Sequence, residues 1–403
     1  MVRRNRRKPV ALVALALAGV VLTGCTTSTA NSGAGSTTTG STASSPAAKP
    51  LSVSISPAGT APVAPANPIV VTAANGRLGA VTVTDTATNT PITGTSSPDR
   101  TTWTSNQQLG YGATYQVAAT GIGADGHSVS QSATLHTVTP AAQTYPSLVP
   151  APAAGSDFGV GQVIEVLFDH TVTDKAAAEK ALTVTSTPSQ PGGWYWISSK
   201  EVHYRPENYW QPGTTVNVNI GVYGVDLGGG VYGKASRTMT LHIHDSWVAK
   251  ADGHTEKMQI FHNDQLVNTM DISLGSPGKP THEGVHVISQ KSPSVVMDSC
   301  TYGVCPGEPG YYKETVLLDE RISNDGEFVH SAPWSVGSQG STNVSHGCVN
   351  LSPANAQWFY SHFNPGDVVD ISNSGGKTLP VWDTYGDWEL SWDQYRAGSA
   401  LNG

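Results

Sequence analysis

The sequence predicts a mainly-β chain of two small antiparallel sandwiches, then a β-rich third domain with a short helix and an aromatic C-terminal extension. Three observations carry this. From Leu51 the chain falls into short alternating runs parted by Gly, Asn, Asp and Pro turns, with no long helical period before residue 140. A fragment recurs at an offset of 101 residues, Gly112-Ala-Thr-Tyr115-Gln-Val117 against Gly213-Thr-Thr-Val216-Asn-Val218. The clearest helix signal comes late, where Ser352 as N-cap and Pro353 at the first helical position open an amphipathic run to His362.

In chain order, residues 1–24 read as a targeting segment, with Arg3, Arg4, Arg6, Arg7 and Lys8 before the apolar run Val10 to Leu22. Leu22-Thr23-Gly24-Cys25 resembles a lipobox, which implies a lipid on Cys25 and a chain held on the outer face of the cytoplasmic membrane. Residues 25–50 are almost wholly Thr, Ser, Ala, Gly and Pro and cannot bury enough apolar surface to order themselves. They form a tether that reaches ~80 Å when extended.

Residues 51–146 carry the runs Leu51-Ser-Val53-Ser-Ile55, Val81-Thr-Val83 and Tyr115-Gln-Val117. Residues 147–245 come after a proline-rich joint and carry Val163 to Phe168, Val202-His-Tyr204 and Val216 to Ile220, with one short helix at Asp174 to Ala181. One immunoglobulin-like domain per repeat is the natural period. The third domain spans 246–371, from a hairpin around His262-Asn-Asp264 to a last strand at Asp367 to Ile371. Residues 372–403 hold Trp382, Tyr385, Trp388, Trp392 and Tyr395, too aromatic for a disordered tail, and are expected to pack on the third domain or to stack on glycans.

Charge excludes one class of partner. Without the five basic residues of the first segment, 17 Lys and Arg face 30 Asp and Glu, a net of −13. Nothing in that balance attracts nucleic acid. The four cysteines divide by role: Cys25 to lipid, Cys348 to chemistry, and Cys300 and Cys305 to a disulfide that stiffens their loop in an oxidising compartment. Zinc is the rival for that last pair, but no second thiol pair stands at ligand spacing. His242-Ile-His244 puts two imidazoles on one face of a strand, again without a partner at ligand spacing, so no metal or other cofactor is assigned.

The chemistry concentrates in Ser345-His346-Gly347-Cys348-Val349-Asn350, with His330-Ser331 eighteen residues before the cysteine. A cysteine used for acyl transfer needs an imidazole to take its proton and backbone N–H groups to hold an oxyanion. The glycine before Cys348 leaves room for a substrate, and the sequence places the cysteine just ahead of a helix start, whose amides favour negative charge. His330, a gap, then Ser-His-Gly-Cys-x-Asn resembles the signature of the L,D-transpeptidase (YkuD) family. The context His330-Ser331-Ala332-Pro333-Trp334-Ser335 resembles its actinobacterial lipoprotein branch.

The resemblance implies Cys348 as nucleophile and His330 as general base, paired as imidazolium and thiolate and oriented by the Ser331 carbonyl. It implies an oxyanion hole from the Gly347 and Cys348 amides, helped by Tyr312, and a loop shaped by His346 and braced by Ser345 and Asn350. The Gly-, Pro- and aromatic-rich stretch from Met297 to Tyr312 reads as a lid. Met297, Tyr302, Tyr312 and Trp334 are its candidate substrate walls, with Ser331, His346 and Asn350 also facing substrate.

The implied reaction is 3→3 cross-linking of peptidoglycan stem tetrapeptides at diaminopimelate, through a cysteine thioester with release of D-alanine, by a monomer open to carbapenem acylation. The sandwiches are implied spacers. The rivals are an L,D-carboxypeptidase, with water as acceptor, and a non-catalytic wall-binding lipoprotein. Alkylation of the native, unreduced protein should leave Cys300 and Cys305 unlabelled; two labelled thiols there would remove the disulfide.

Overall fold

The computed structural model describes residues 49–151 and 157–402. Cys25, the 1–24 segment and nearly all of the tether lie outside these residues. The described strands and helices all belong to the compact unit that begins at Ala48.

The first sandwich pairs a four-stranded sheet, ordered Ser52–Ser56, Val70–Ala74, Thr102–Ser105 and Gly94–Ser96, with a three-stranded one of Gly76–Asp85, Thr114–Gly123 and Ser128–His136. Alternation sets its core: Tyr115, Val117 and Ala119 point inward from one strand to meet Ile69, Val71 and Trp103. The second sandwich has two four-stranded sheets, one built on Thr215–Ile220 and the other on Glu201–Pro206. Val216 and Val218 of the repeated fragment are buried in it as Tyr115 and Val117 are in the first. Its short helix, Lys175–Lys180, is capped by Asp174, whose carboxylate accepts the Ala177 amide.

The joint between the sandwiches comes earlier than the proline-rich stretch. Ala142–Thr144 already pairs in parallel with Val231–Gly233, and Pro146–Val149 is an edge strand of the second sandwich. The Tyr111 hydroxyl donates to the Gly233 carbonyl at 2.7 Å and accepts the Gly224 amide at 2.9 Å. Tyr223 donates back to the Leu109 carbonyl at 2.6 Å.

The third domain is a nine-stranded mixed sheet. Its order is Gly284–Val287, Val368–Ser372, Trp247–Asp252, Lys257–His262, Gln265–Ser273, Val349–Leu351, Phe328–Ser331, Lys313–Arg321 and Gln290–Asp298. The helix Pro353–His362 is capped by Ser352 and stacks Phe359 on Phe363 at 3.9 Å between ring centres. Both rings are fully buried against Val329, Val349 and Leu351, and each buried Phe is worth about 1.5–3 kcal/mol.

The tail corrects an expectation. It does not pack on the third domain alone but straddles it and the second sandwich. Glu389 accepts the Val285 amide from the third domain, while the buried Arg205 of the second sandwich lies under Trp388, Trp392 and Tyr395, 4.3–5.5 Å from their ring centres. Arg205 also donates to the Leu390 carbonyl at 2.8 Å, and Trp388 to the Gly161 carbonyl at 2.8 Å. A buried guanidinium needs acceptors and π faces, and the tail supplies both. Trp382 alone of the five aromatics is mostly exposed, at 63%. Tyr385, Val287 and Val368 join the core of the second sandwich, so one apolar core crosses the domain boundary.

His203 fixes this clamp. Both its nitrogens face carboxylates: Nδ1 lies 2.9 Å from Asp387 and Nε2 lies 3.0 Å from Glu201, with Glu165 at 4.0 Å. Burial alone would push the imidazolium down, but Asp387, then Glu201 and Glu165, outweigh it and hold His203 up at about 10. The folded value lies above the ordinary 6.5, so the stabilisation is full below about pH 6.5 and is lost as pH rises through 10. Asp387→Asn should cost about 3–5 kcal/mol, since it leaves a buried charge without its partner. Urea unfolding from pH 6 to 10 should show that loss together with the disappearance of the alkaline decline; an unchanged pH profile in the variant would dissociate His203 from the clamp.

Candidate active site

Two neighbouring strands build the site. Phe328–Ser331 and Val349–Leu351 run parallel, with His330 opposite Asn350. Residues two apart on a strand share a face, so Val329, Val349 and Leu351 turn into the core while His330 and Asn350 turn the other way. Cys348 precedes the second strand by one residue and lines the same cleft. This corrects the expectation of a cysteine at a helix start: three strand residues, about 10 Å of chain, separate it from Ser352, beyond reach of the helix amides.

The loop before the cysteine is stitched to the rest of the sheet. The Ser345 amide donates to the Leu274 carbonyl at 3.0 Å, and the Ser276 amide to the Ser345 carbonyl at 2.9 Å. Ser345 Oγ donates to the Cys348 carbonyl at 2.6 Å and accepts the Gly347 amide at 3.1 Å. That last bond revises the expected oxyanion hole: the Gly347 amide is committed within the loop, which leaves Cys348 as the amide of the expected pair. Gly347 has φ of +127°, a backbone that residues with a side chain rarely adopt. A Cβ there would also lie 3.3 Å from the Glu327 carboxylate.

Asn350 Nδ2 donates to Ser335 Oγ at 3.1 Å, and Gln339 Nε2 donates to the same oxygen at 3.0 Å. The sequence marks neither Ser335, quoted only as context of the motif, nor Gln339 as a partner of Asn350, because the turn Pro333–Ser335 and the loop after it carry them there. Glu327 escapes sequence reasoning too. It is a buried carboxylate behind the loop, and only its place three residues before His330 hints at it.

His330 is buried and its Nδ1 lies 3.0 Å from the Ser331 carbonyl. A carbonyl only accepts, so Nδ1 carries the proton and Nε2 keeps the lone pair. Burial pushes the His330 imidazolium down despite that bond. Burial likewise pushes the Cys348 thiol up to about 12, against the lowering effect of the Phe328 backbone, and Glu327, Asp319 and Asp325 add to the rise. The thiol points at the Gly326 carbonyl, 3.8 Å away. Burial thus works against both charges of the expected imidazolium–thiolate pair, and the carboxylates behind the loop add to the cost of the thiolate. His346 is exposed, lies 5.2 Å ring to ring from Tyr312, and is pushed down by burial and by Lys279.

The cleft encloses about 220 Å³ and is walled by Met297, Tyr312, Glu314, Val316, Trp334 and Val344 around His330, Ser345, His346, Cys348 and Asn350. Trp334 is 53% exposed, with its ring 6.0 Å from His330. The stretch read as a lid is the tip of the hairpin formed by Gln290–Asp298 and Lys313–Arg321, with Met297 paired to Glu314. Cys300 and Cys305 are joined by a disulfide at that tip. Tyr302 closes the 3₁₀ turn Ser299–Tyr302, but its side chain lies outside the described set. Ser331 is buried and serves through its carbonyl. A wider groove, about 760 Å³, lies between the second sandwich and the tail, yet no histidine or cysteine lines it. His242 and His244 gain no third ligand among the described residues.

Comparison with known proteins gives a consistent picture. A bacterial Ig domain model matches residues 60–226, spanning both sandwiches, and an L,D-transpeptidase catalytic domain model matches residues 247–371. L,D-transpeptidase 2 of Mycobacterium tuberculosis is 43% identical over 333 residues, 83% of this chain and 81% of that protein. L,D-transpeptidase 5 of the same organism is 32% identical over 348 residues, 85% of this chain and 75% of that one. A solved structure of LD transpeptidase LdtMt1 in complex with imipenem matches at 34% identity and a TM-score of 0.49, covering 56% of this chain and 99% of that one.

Burial of the thiol disfavours a thiolate at rest. Iodoacetamide labelling of Cys348, read by mass spectrometry, should accelerate steadily from pH 7 to 10; a plateau already reached at pH 8 would mark a resting ion pair instead.

Proposed function

The chain belongs to the L,D-transpeptidase family, and we propose that it forms 3→3 cross-links between peptidoglycan stems, with Cys348 as nucleophile and His330 as base. The observation that supports this most directly is the single cleft that holds Cys348 and His330 together, with the His330 Nε2 lone pair left available by the Nδ1 bond to Ser331.

In this reading a tetrapeptide stem binds with the carbonyl of its third residue, diaminopimelate, over the sulfur. His330 Nε2 takes the thiol proton as the sulfur attacks, so no thiolate has to persist in the buried site. The Cys348 amide, with Tyr312 beside it, holds the oxyanion. When the tetrahedral centre collapses, the C–N bond breaks and His330 returns its proton to the departing D-alanine. The thioester then meets the side-chain amine of a second stem's diaminopimelate. His330 removes the amine proton as the new C–N bond forms, the C–S bond breaks, and the sulfur takes that proton back to restore the thiol.

Met297, Tyr312 and Trp334 would wall donor and acceptor, while Ser345 and Asn350 keep the loop in register. A thiol nucleophile in this setting would also be open to acylation by carbapenems, whose strained ring opens on attack. The lipid on Cys25, the tether and the two sandwiches would hold the cleft at the level of the wall, outside the cytoplasmic membrane.

Mass spectrometry of the unit from Ala48 incubated with disaccharide-tetrapeptide tests the reading. The expected product is a dimer lighter by one D-alanine. Cys348→Ala should abolish it, and His330→Ala should lower the rate by about 10²–10⁴-fold. D-alanine release without dimer would identify a carboxypeptidase, and a dimer formed by Cys348→Ala would exclude the cysteine mechanism.

A further inference from the structure

Behind the nucleophile loop lies a cluster of side chains that the cross-linking reaction does not use. His282 and His286 flank the start of the strand Gly284–Val287, and Asp325 and Glu327 come from the turn before Phe328–Ser331. His282 Nδ1 is 3.2 Å from Glu327 Oε1 and 3.7 Å from Asp325 Oδ2, and His286 Nε2 is 3.4 Å from Glu327 Oε2. His286 is fully buried and Glu327 only 6% exposed.

Three atoms here are buried and make no hydrogen bond: His282 Nδ1, His286 Nε2 and Glu327 Oε2. His286 Nδ1 lies 3.0 Å from the Gly284 carbonyl and so carries the ring's proton. His286 Nε2 faces Glu327 Oε2 at 3.4 Å without a hydrogen bond, while Glu327 and His282 favour each other's charged forms. Asp383, fully buried, adds another carboxylate to the same group; its Oδ1 accepts the Asn324 amide and its Oδ2 has no partner. Three carboxylates converge on two imidazoles.

We propose that His282, Glu327 and Asp325, with His286 beside them, form a divalent-cation site suited to zinc, directly beneath the nucleophile loop. Imidazole nitrogen and carboxylate oxygen are among zinc's usual donors. A tetrahedral zinc with bonds of about 2.0–2.1 Å holds its ligand atoms about 3.3 Å apart, and the separations here bracket that value. Asp325 and the edge of His282 reach solvent, which gives the ion a way in and a water as a further ligand. The Oδ1 of Asp325 is occupied by the Ser323 hydroxyl, which leaves Oδ2 to turn toward His282. Bound there, the ion would pin the turn that carries Gly326 to the segment that leads into Gly284–Val287, and through Glu327 would back the close approach of Gly347.

The site is separable from the nucleophile. Calorimetric titration of the unit from Ala48 carrying Cys348→Ala with zinc chloride, with metal content checked by mass spectrometry, should show one ion per chain. His282→Ala and Asp325→Asn, both at the accessible edge, should each weaken binding by about tenfold or more, and Glu327→Gln should abolish it. No uptake by Cys348→Ala would overturn the proposal and assign the cluster to a buried proton-sharing pair. Undiminished binding in both edge variants would overturn it as well, and loss on Glu201→Gln would move the ion to the other histidine–carboxylate group, Glu165, Glu201 and His203.

Discussion

The parallel pairing of Phe328–Ser331 with Val349–Leu351 is the constraint on which the rest depends. It brings together two segments that the sequence keeps eighteen residues apart, and its two-residue period decides what each side chain does. One face drives valine and leucine into a core sealed by Phe359 and Phe363; the other turns His330 and Asn350 to the cleft. A slip of one residue would exchange the two faces, burying the imidazole in the apolar layer. The helix Pro353–His362 thus matters to chemistry through packing: it holds the register and lends nothing to the sulfur by its dipole.

Burial is the second organising theme, and it acts against charge. The cleft that orients Cys348 also strips water from it, and the carboxylates behind the loop add to the cost of a thiolate. Elsewhere the same expense is met by pairing: Arg205 lies among aromatic faces and carbonyls, and His203 between carboxylates.

Much of this is legible in the chain. Alternation and turn residues mark the sandwiches, Ser352-Pro353 marks the helix to the residue, and the spacing of His330 and Cys348 marks the cleft, because each depends on near neighbours. What stays hidden depends on contacts across the fold. Val349–Leu351 is too short to announce itself as a strand, so the sequence sets Cys348 against the helix instead. Glu327, Ser335 and Gln339 gain meaning only where turns carry them beneath the loop. The tail's aromatics are visible, but their partner, Arg205, reads on its strand like any exposed arginine.

The clamp also imposes an order on the birth of the molecule. Asp387 lies 184 residues after His203, on the order of ten to forty seconds of translation. Until those residues emerge, the second sandwich carries an uncovered arginine, a histidine lacking its nearest carboxylate and an apolar seam without Tyr385. It is a domain whose last wall arrives from the far end of the gene, so its folding cannot finish before the domain after it has been made. Chaperones and proteases would meet it in that half-built form, and a ribosome that stalls within the third domain would release a sandwich as incomplete as the domain that follows it.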